Sequence, residues 1–539
     1  MPDLDATPNP ASPVGTAGLD GRDLRIGIDV GGTHTDAVVL DETNTVLAWT
    51  KQATTADVTT GLGNAVAAVL EELGPRRDRV GRVMLGTTHA TNAILERRAL
   101  GRVAVVRLGA PATTAVPPLL AWPADLREAV LLDSVIVGGG HLVDGYPIAP
   151  LDTDAIAAFL DSVEGRAEAV AVTGVFSPAF REQELEVATM VADRLGADVP
   201  VSLSHEIGSL GLVERENAAV LNAALYGVAR GVTEALAAVL EGHGLEVTSY
   251  FAQNDGTLMA PDYAARYPVL TIGSGPANSL RGAAFLSGVS DAIVVDVGGT
   301  SSDLGVLVGG FPRESALAVD IGGVRTNFRM PDILGLAIGG GTRVRGEAGD
   351  VTVGPDSVGY ALGTEGLSFG GEVATLTDAA LVEGRVSIEG TDASRADGVR
   401  KLLSDALAQT DESVAEAVDQ VSLGRSSQPL VAVGGGSFLV PDDVPGVSTV
   451  LRPRYGQVAN AVGAAIAMAS GRWETIVPAG PARAEALEEA KRIACQRAIQ
   501  AGAEPSQVDV VELTEVPLSY LPEPAIRVHV KAAGPLGRV

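Results

Sequence analysis

The sequence predicts an α/β protein built from two similar lobes that face one another. A short glycine-containing motif occurs twice, once near the start of the chain and once in its second half. Between the two copies, apolar runs typical of buried strands alternate with stretches of helical periodicity, as in a mixed, largely parallel sheet. The 539 residues, 46% of them hydrophobic, suffice for roughly three or four structural units with cores of their own.

The repeated motif predicts two β-hairpins. The first copy runs from Ile26 to Asp36 and the second from Ile293 to Asp303. Both contain Asp-Val-Gly-Gly-Thr, and both have a second aspartate three residues after the threonine. An apolar run enters each motif, Gly-Gly-Thr supplies the turn, and a second apolar run leaves it.

The chemistry of these turns favours phosphate binding. Glycine lets the backbone approach a ligand closely, and successive N–H groups in such a turn form a concavity that binds anions. An aspartate at the end of the entering strand can hold a hydrated cation, because hard cations prefer carboxylate oxygen. One such turn is typical of an ordinary hairpin, whereas two matched copies predict a phosphate clamp between the lobes.

The segments between and after the copies fill in the predicted lobes. A third glycine turn, Gly434–Gly436, follows a buried strand; it is either a simple strand-to-helix turn or a contact for a nucleoside, which we favour. Asp350–Gly371 is rich in glycine and is expected to be a loop. The other predicted elements are strands at Arg82–Thr88, Arg102–Leu108, Ala167–Val172, Val508–Leu513 and Ala525–Val530, and helices at Ala90–Arg98, Glu182–Leu195, Leu212–Leu225, Gly227–Leu240, Gly456–Ala469 and Glu485–Gln500.

These elements suggest four segments. We expect a loose N-terminal tail over residues 1–24, a first lobe over 25–200, a second lobe over 201–472 and a small α+β segment over 473–539. The tail lacks the basic start and apolar core of a signal peptide. No apolar run without charges is long enough to span a membrane, so we expect a cytoplasmic protein.

Charge excludes several partners. With 39 basic and 67 acidic side chains, the formal net charge is −28, which argues against nucleic acid and anionic membranes as partners. None of the four lysines, Lys51, Lys401, Lys491 and Lys531, follows a glycine, which excludes a Walker-A phosphate loop. Phosphate binding would therefore rest on backbone N–H groups and on a cation held by the aspartates.

Taken together, these motifs resemble those of the actin, Hsp70 and sugar-kinase ATPase superfamily, whose duplicated, ribonuclease H-like lobes close on ATP and a divalent cation. More narrowly, the chain resembles a short form of the A-type chains of the hydantoinase/oxoprolinase family. The residues that carry the likeness are Asp29–Asp36, Gly86–Glu96, Ser204–Ile207, Glu214–Asn222, Asn254–Met259, Ser274–Pro276, Asp296–Asp303, Ile338–Thr342 and Ala459–Ala465.

The resemblance implies an activity. The family opens cyclic amides such as hydantoins and 5-oxoproline with ATP, by phosphorylating the carbonyl oxygen so that water can attack the carbon. ATP and Mg²⁺ would be the cofactors and a small cyclic amide the substrate, and the possible partner in an oligomer would be a B-type hydantoinase chain. A small-molecule kinase of the same fold and a non-hydrolytic, nucleotide-gated regulatory or assembly protein remain alternatives.

The resemblance also implies site residues. Asp29 and Asp296 would hold hydrated Mg²⁺ or align the attacking group. Asp36 and Asp303 would orient them or simply cap local structure. The phosphates would lie against Gly31, Gly32, Thr33, Gly298, Gly299, Thr300 and Ser301, and the nucleoside against Gly434, Gly435 and Gly436.

Five further residues are candidates for contact with the substrate. His34 stands where relatives commonly have an aromatic residue, and His89 where an apolar residue is usual, so each is either structural or a group that binds substrate or transfers a proton. Asn92 lies in the same motif as His89. The adjacent pair His205 and Glu206 also suggests a metal site, but two neighbouring residues without further spaced ligands support it weakly.

Overall fold

The computed structural model describes residues 22–55, 57–315, 318–423, 427–518 and 524–537. Most of the expected N-terminal tail therefore lies outside the described residues. Within them, strands and helices alternate along the chain as predicted.

The strands of the described residues are β1 (Leu24–Val30), β2 (His34–Leu40), β3 (Val46–Ala53), β4 (Val80–Thr87), β5 (Val103–Ala110), β6 (Leu131–Gly138), β7 (Ala169–Gly174), β8 (Val201–Leu203), β9 (Thr248–Ala252), β10 (Leu258–Met259), β11 (Ala292–Val297), β12 (Ser302–Val308), β13 (Phe311–Pro312), β14 (Val319–Ile321), β15 (Val324–Thr326), β16 (Ile333–Leu336), β17 (Thr342–Glu347), β18 (Asp350–Ser357), β19 (Gln428–Val433), β20 (Val447–Leu451), β21 (Ala469–Pro478), β22 (Asp509–Leu518) and β23 (Ala525–Gly534).

The α-helices in the same part of the chain are α1 (Val58–Leu73), α2 (His89–Glu96), α3 (Ala124–Val130), α4 (Thr153–Val163), α5 (Glu182–Leu195), α6 (Ser204–Ile207), α7 (Leu212–Ala224), α8 (Tyr226–Gly242), α9 (Pro261–Arg266), α10 (Ser274–Ser287), α11 (Leu362–Glu365), α12 (Leu376–Val382), α13 (Arg400–Ser422), α14 (Ala459–Ile466) and α15 (Arg483–Gln500).

The first lobe is organised by a nine-stranded mixed sheet with the order β22-β23-β21-β10-β9-β4-β1-β2-β3. β1 is antiparallel to β2 and parallel to β4, and β4 is parallel to β9. Helices α1, α8 and α15 pack on this sheet and bury a large apolar cluster that includes Ile26, Leu62 and Val530. A separate four-stranded parallel sheet, β6-β5-β7-β8, flanks this lobe.

The second lobe repeats the central part of this arrangement. β11 is antiparallel to β12 and parallel to β19, which in turn is parallel to β20. β13 and β16 also pair with β12. Helices α12 and α13 cover the sheet and bury a second apolar cluster. The predicted α/β fold with duplicated lobes is confirmed.

The structure differs from expectation in two places. The predicted loop Asp350–Gly371 begins with β18, which pairs with β17, because alternating valines at 351 and 353 form one half-buried face. The predicted C-terminal helix and strands are present, but β21, β22 and β23 extend the first lobe's sheet instead of forming a separate unit. This sheet therefore draws on all three of the segments predicted after the tail.

Two helices cross between the lobes at backbone contact. A Cβ added to Gly463 of α14 would overlap the carbonyl oxygen of Asn278 and lie 2.7 Å from its carbonyl carbon. A Cβ added to Gly282 of α10 would lie 2.6 Å from the carbonyl carbon of Ala459. Only glycine permits this approach at either position.

No single helix among the described residues has the length and hydropathy needed to cross a bilayer. The pair α7 and α8, bent by 45° at its junction, passes the same test of length and composition when taken together.

Candidate functional site

The two hairpins close with the same hydrogen bond. Gly31 N–H donates to His34 O at 2.9 Å, and Gly298 N–H donates to Ser301 O at 2.9 Å. In each hairpin the two aspartates are cross-strand partners: Asp29 lies opposite Asp36, and Asp296 lies opposite Asp303. The sequence repeat is thus a repeat of backbone geometry.

The two turns face one another across the cleft between the lobes. A Cβ placed on Gly299 would lie 3.8 Å from Thr33 Oγ1. Within the described residues, the N–H groups of Gly32, Thr33 and Thr300 have no hydrogen-bond acceptor. Groups of this kind are available to an anion between the turns.

The second turn is supported from behind by the segment Ile338–Thr342. Gly340 N–H donates to Gly298 O at 3.0 Å, and Gly341 N–H donates to Gly299 O at 2.8 Å. A Cβ on Gly339 would lie 2.7 Å from the nitrogen of Thr300. These contacts fix the turn before any ligand arrives.

Asp29 is buried at the end of β1 and is held by two asparagines. Asn460 Nδ2 donates to its Oδ2 at 3.0 Å, and Asn278 Nδ2 lies 3.5 Å from its Oδ1. Its neighbour on β4 is Gly86, where a Cβ would lie 2.5 Å from Asn278 Nδ2 and overlap the carboxylate. Burial, reinforced by the negative charge of Asp36, raises the pKa of Asp29 to about 7.

Asp296 has matching surroundings in the second lobe. Ser279 Oγ donates to its Oδ2. A Cβ on Gly434, which follows β19 with a φ of +83°, would overlap its Oδ1. Burial raises the pKa of Asp296 against the hydrogen bond from Ser279 and the positive charge of Lys51.

One helix therefore contacts both aspartates. Asn278 and Ser279 are consecutive in α10, yet the first reaches the carboxylate of one lobe and the second that of the other. Both side chains are almost wholly buried. Sequence reasoning missed these residues.

Lys51 was also missed as a site residue. Its Nζ lies 2.7 Å from both carboxylate oxygens of Asp36 and donates to Gln457 O at 3.1 Å. A Cβ on Gly435 would lie 3.6 Å from Lys51 Cε. The exclusion of a Walker-A lysine is unaffected, but this cation lies beside the third glycine turn.

The third glycine turn is tied to the end of β11 and to the segment that leads into α14. Gly434 N–H donates to Gly456 O at 2.9 Å, and Gly436 N–H donates to Val297 O at 2.8 Å. The turn therefore lies directly against the end of β11, beside Asp296.

Asp303, the cross-strand partner of Asp296, is half-buried. Burial, together with the negative charge of Asp296, raises the pKa of Asp303 to about 7.

His34, His89 and Asn92 lie together on the first lobe. His34 Nδ1 is 3.1 Å from Thr33 Oγ1, and His89 Nδ1 is 2.5 Å from Thr87 Oγ1. Asn92, one turn along α2, donates to Thr88 Oγ1 at 3.4 Å. Burial lowers the pKa of both histidines, which favours the neutral imidazole. Their contact with a substrate stays a prediction.

His205 and Glu206 lie elsewhere and have other partners. His205 Nδ1 is 2.6 Å from Glu184 Oε2, and Arg266 Nη2 donates to Glu206 Oε1 at 2.7 Å. These pairings give the metal interpretation of the two residues no support, and their contact with a substrate stays a prediction. The described residues contain no group of three or more histidine, cysteine, aspartate or glutamate side chains placed to hold a metal ion.

The residues at the cleft fit a nucleotide with a hydrated divalent cation. Two carboxylates whose pKa values are raised mainly by burial lie next to turns whose N–H groups are unpaired, and a cation bound there would favour their charged forms. Mg²⁺ needs only one or two protein carboxylates when phosphates and water complete its shell. Glycines at 86 and 434 keep the space beside both carboxylates free.

Comparisons with known proteins agree with this architecture. Residues 25–195 match the hydantoinase/oxoprolinase N-terminal region, and residues 215–472 match the hydantoinase/oxoprolinase family model. The crystal structure of the ATP-dependent caprolactamase from Pseudomonas jessenii superposes with a TM-score of 0.77 and 22% identity, covering 95% of this chain and 88% of that one.

Two curated relatives are similar in sequence. The alpha subunit of the caprolactamase from Pseudomonas jessenii is 30% identical over 394 residues, which are 67% of this chain and 55% of the relative. The acetophenone carboxylase gamma subunit of Aromatoleum aromaticum is 27% identical over 396 residues, 67% of this chain and 53% of the relative. The chain thus spans little more than half the length of either relative. It belongs to the hydantoinase/oxoprolinase family.

Proposed function

We propose that this chain is the ATP-using subunit of an enzyme that opens a cyclic amide. The observation that carries the proposal is the pair of facing Gly-Gly-Thr turns, each with a buried aspartate beside unpaired N–H groups. The relationship to one chain of a caprolactamase supports a lactam or related ring as substrate. A cytoplasmic location, where ATP is supplied, and a B-type partner chain belong to the same proposal.

The reaction begins at the amide carbonyl. Its oxygen attacks the γ-phosphorus of ATP, ADP leaves, and the nitrogen loses its proton; the new O-phosphate makes the former carbonyl carbon electrophilic. Water then adds across the C=N bond and returns a proton to nitrogen. The C–N bond breaks as the hydroxyl proton passes to the departing amine, which leaves an acyl phosphate, and a second water releases inorganic phosphate from it. The products are an amino carboxylate, ADP and phosphate.

In this scheme the chain's own residues would position the reacting groups and neutralise their negative charge. The turn N–H groups of Gly32, Thr33 and Thr300 would hold phosphate oxygens, and Asp29 with Asp296 would hold the hydrated cation. Mg²⁺ bound with ATP supplies neutralisation of the charge on the transferred phosphoryl group. Asn460 and Ser279 would fix the carboxylates, so that little reorganisation accompanies transfer.

The test is ATP turnover measured together with ring opening. The full chain, with and without the protein encoded beside it, is screened against hydantoin, 5-oxoproline and simple lactams. We expect ATP hydrolysis stimulated by one ring, and a loss of at least about a hundredfold in Asp29→Asn and Asp296→Asn. Asp133→Asn, an exposed aspartate on β6, is the control. ATP turnover that no cyclic amide stimulates in either setting would refute the proposal.

A second candidate follows from the carboxylase relative. The same phosphorylation could activate the carbonyl of a ketone for carboxylation. Stimulation of ATP turnover by a ketone and bicarbonate, but by no amide, would favour it. A stable phosphorylated product without ring opening would instead favour the kinase alternative.

A further inference from the structure

A cavity of about 100 Å³ lies where the flanking four-stranded sheet meets the sheet of the first lobe. Helix α6, which follows β8 at the carboxyl end of the parallel sheet, forms one wall, and residues of β21 form another. Ligands of open α/β sheets bind outside the carboxyl ends of the strands, and boundaries between structural units are common binding sites. A cavity of about 150 Å³ holds benzene, so this one suits a somewhat smaller molecule.

His205 of α6 lines this cavity and is held from behind by a buried glutamate. Its Nδ1 lies 2.6 Å from Oε2 of Glu184, and its backbone N–H donates to the same oxygen at 3.1 Å. The other oxygen, Oε1, accepts hydrogen bonds from the Gly174 N–H at 2.7 Å and the Ser204 hydroxyl at 2.6 Å. Four contacts thus converge on one carboxylate.

Glu184 fixes which nitrogen of His205 carries the proton. Burial would raise the pKa of Glu184, but the hydrogen bonds that its carboxylate accepts and the positive charge of Arg215 outweigh burial and lower the pKa. An ionised carboxylate accepts hydrogen bonds and donates none, so Nδ1 is the protonated nitrogen. In the neutral imidazole, Nε2 then carries the lone pair and is an acceptor.

Nε2 of His205 has no partner among the described residues. No hydrogen bond reaches it, and it is not one of the unpartnered atoms that the protein encloses completely. The side chain is only 3% exposed, so the space that Nε2 faces is the cavity. A polar group that is buried and unpaired is costly unless a donor satisfies it. The cavity therefore offers a ligand one fixed acceptor.

The surroundings favour a neutral ligand. A carboxylate ligand has no proton to donate to Nε2 and would lie within one imidazole ring of the ionised Glu184. A cationic ligand is not required either, because the carboxylates that line the cavity already have cationic partners. The pairs are Glu206 with Arg266 at 2.7 Å, Asp255 with Arg472 at 2.9 Å and Glu474 with Arg527 at 3.2 Å.

The cavity is separate from the phosphate turns. Asn254, which lines it, accepts a hydrogen bond from the Gly273 N–H at 2.7 Å. The next residue, Ser274, donates to Thr87 O at 3.2 Å, at the end of β4. The start of α10 therefore lies between this wall of the cavity and the strand that neighbours β1 and Asp29.

We propose that this cavity binds a small neutral cyclic amide, whose N–H donates to Nε2 of His205. The need for a neutral hydrogen-bond donor comes from the cavity itself. Only the identification of that donor as a cyclic amide rests on the proposed function. Binding at this site needs neither ATP nor turnover, since no group of the phosphate turns takes part in it.

The experiment is NMR spectroscopy of the full chain labelled with ¹⁵N-histidine, without ATP and at about pH 8, where imidazole is ordinarily neutral. The chain has six histidines, and the signals that disappear in His205→Gln are those of His205. The ligands are 2-pyrrolidone and cyclopentanone, a ring of the same size in which a methylene replaces the N–H. We expect 2-pyrrolidone to shift the Nε2 signal and to bind at least about fivefold more tightly, as the loss of one hydrogen bond to a buried group predicts. Equal shifts by both rings, or none by either, overturn the proposal.

A matched pair of variants locates the site. His205→Phe keeps an aromatic ring but removes the acceptor, so the preference for 2-pyrrolidone, measured by calorimetry, should disappear. His243→Phe is the control and should keep the preference, since His243 follows α8 and does not line the cavity. His205→Gln, whose amide can still donate to Glu184, replaces the phenylalanine variant if that one does not fold. A preference that survives in His205→Phe, with thermal unfolding like that of the unsubstituted chain, contradicts the assignment.

Failure of this proposal is distinguishable from failure of the proposed function. Binding of 2-pyrrolidone at His205, together with ATP turnover that no amide stimulates, would count against the proposed function alone. ATP turnover stimulated by 2-pyrrolidone, with the His205 signals unmoved, would count against this site alone.

Discussion

Replacing Gly463 by alanine should destabilise the protein, although the same change stabilises most helices. Gly463 lies inside α14 at the crossing with α10. An added Cβ would be 2.7 Å from the carbonyl carbon of Asn278 and 2.9 Å from the nitrogen of Gly282. Both contacts are with backbone atoms, so rotation of a side chain cannot relieve the overlap.

The magnitude follows from two opposing terms. Carbon atoms in contact prefer about 3.5 Å or more, so the contact with the Asn278 carbonyl carbon alone requires the helices to separate by roughly 0.8 Å, and the overlap with its oxygen requires more. Such overpacking costs about 1–3 kcal/mol, and a rigid backbone contact belongs at the upper end. Alanine recovers about 1 kcal/mol of helix propensity. The net loss of about 1–2 kcal/mol corresponds to a fall in Tm of about 1–2 °C when a chain of 539 residues unfolds as one unit.

Differential scanning calorimetry of Gly463→Ala and Gly231→Ala tests this reasoning. Gly231 lies inside α8, and a Cβ there would meet nothing within 4 Å, so its replacement should raise Tm by about 1 °C. ATP turnover of Gly463→Ala should also fall, because Asn278 moves with α10 and contacts Asp29. Equal stabilisation by both substitutions would refute the argument that the crossing is packed to its limit.

Three further outcomes are expected. Ser279→Ala removes the donor to the carboxylate at the end of β11 and should lower ATP turnover about tenfold, while Ser287→Ala on the same helix, whose hydroxyl binds only backbone, should not; equal effects would contradict the role of Ser279. Arg107 and Glu216 form a buried ion pair at 2.5 Å, so Glu216→Gln should cost about 3–5 kcal/mol in chemical unfolding, and Arg107→Met with Glu216→Met should recover much of it. Asp255 is buried, which alone would raise its pKa, but its two cationic partners outweigh burial and lower the pKa; its stabilisation is therefore present above the unfolded pKa of about 3.9 and is lost as pH falls below it. Asp255→Asn should flatten this acid loss in a series of melting curves, and an unchanged acid limb would count against the pairing.

Local patterns predicted much of the fold. The hairpins around Gly31 and Gly298 were predicted because an apolar run, a glycine turn and a second apolar run are adjacent in sequence. Helix α5 was predicted with its observed limits because its apolar residues recur at helical spacing. The strand β18 was missed, since its glycine-rich surroundings obscure an alternation only a few residues long.

The partners of the aspartates could not be predicted in this way. Asn460 is 431 positions from Asp29 and Asn278 is 249 positions from it, so nothing local relates them. Their meeting depends on the crossing of α10 and α14, which is set by the packing of whole lobes. The same holds for Lys51, whose contact with Gln457 spans 406 positions. The residues of the glycine-turn motifs could therefore be identified from the sequence, whereas their distant hydrogen-bond partners could not.

The path of the chain through the nine-stranded sheet has a consequence for synthesis. Strands β1 to β4 are synthesised before the second-lobe sheet, whereas β21 and β23 are synthesised after it. In the nine-stranded sheet, β21 pairs with β10, and β23 pairs with β21. A nascent chain must therefore carry an open sheet edge beside β10 until β21 has been synthesised. The second-lobe sheet, complete by β20, can close first, because domains generally fold as their last strands become available. The nine-stranded sheet is thus completed after the second-lobe sheet, and its edge beside β10 stays open longer than any edge of the second-lobe sheet.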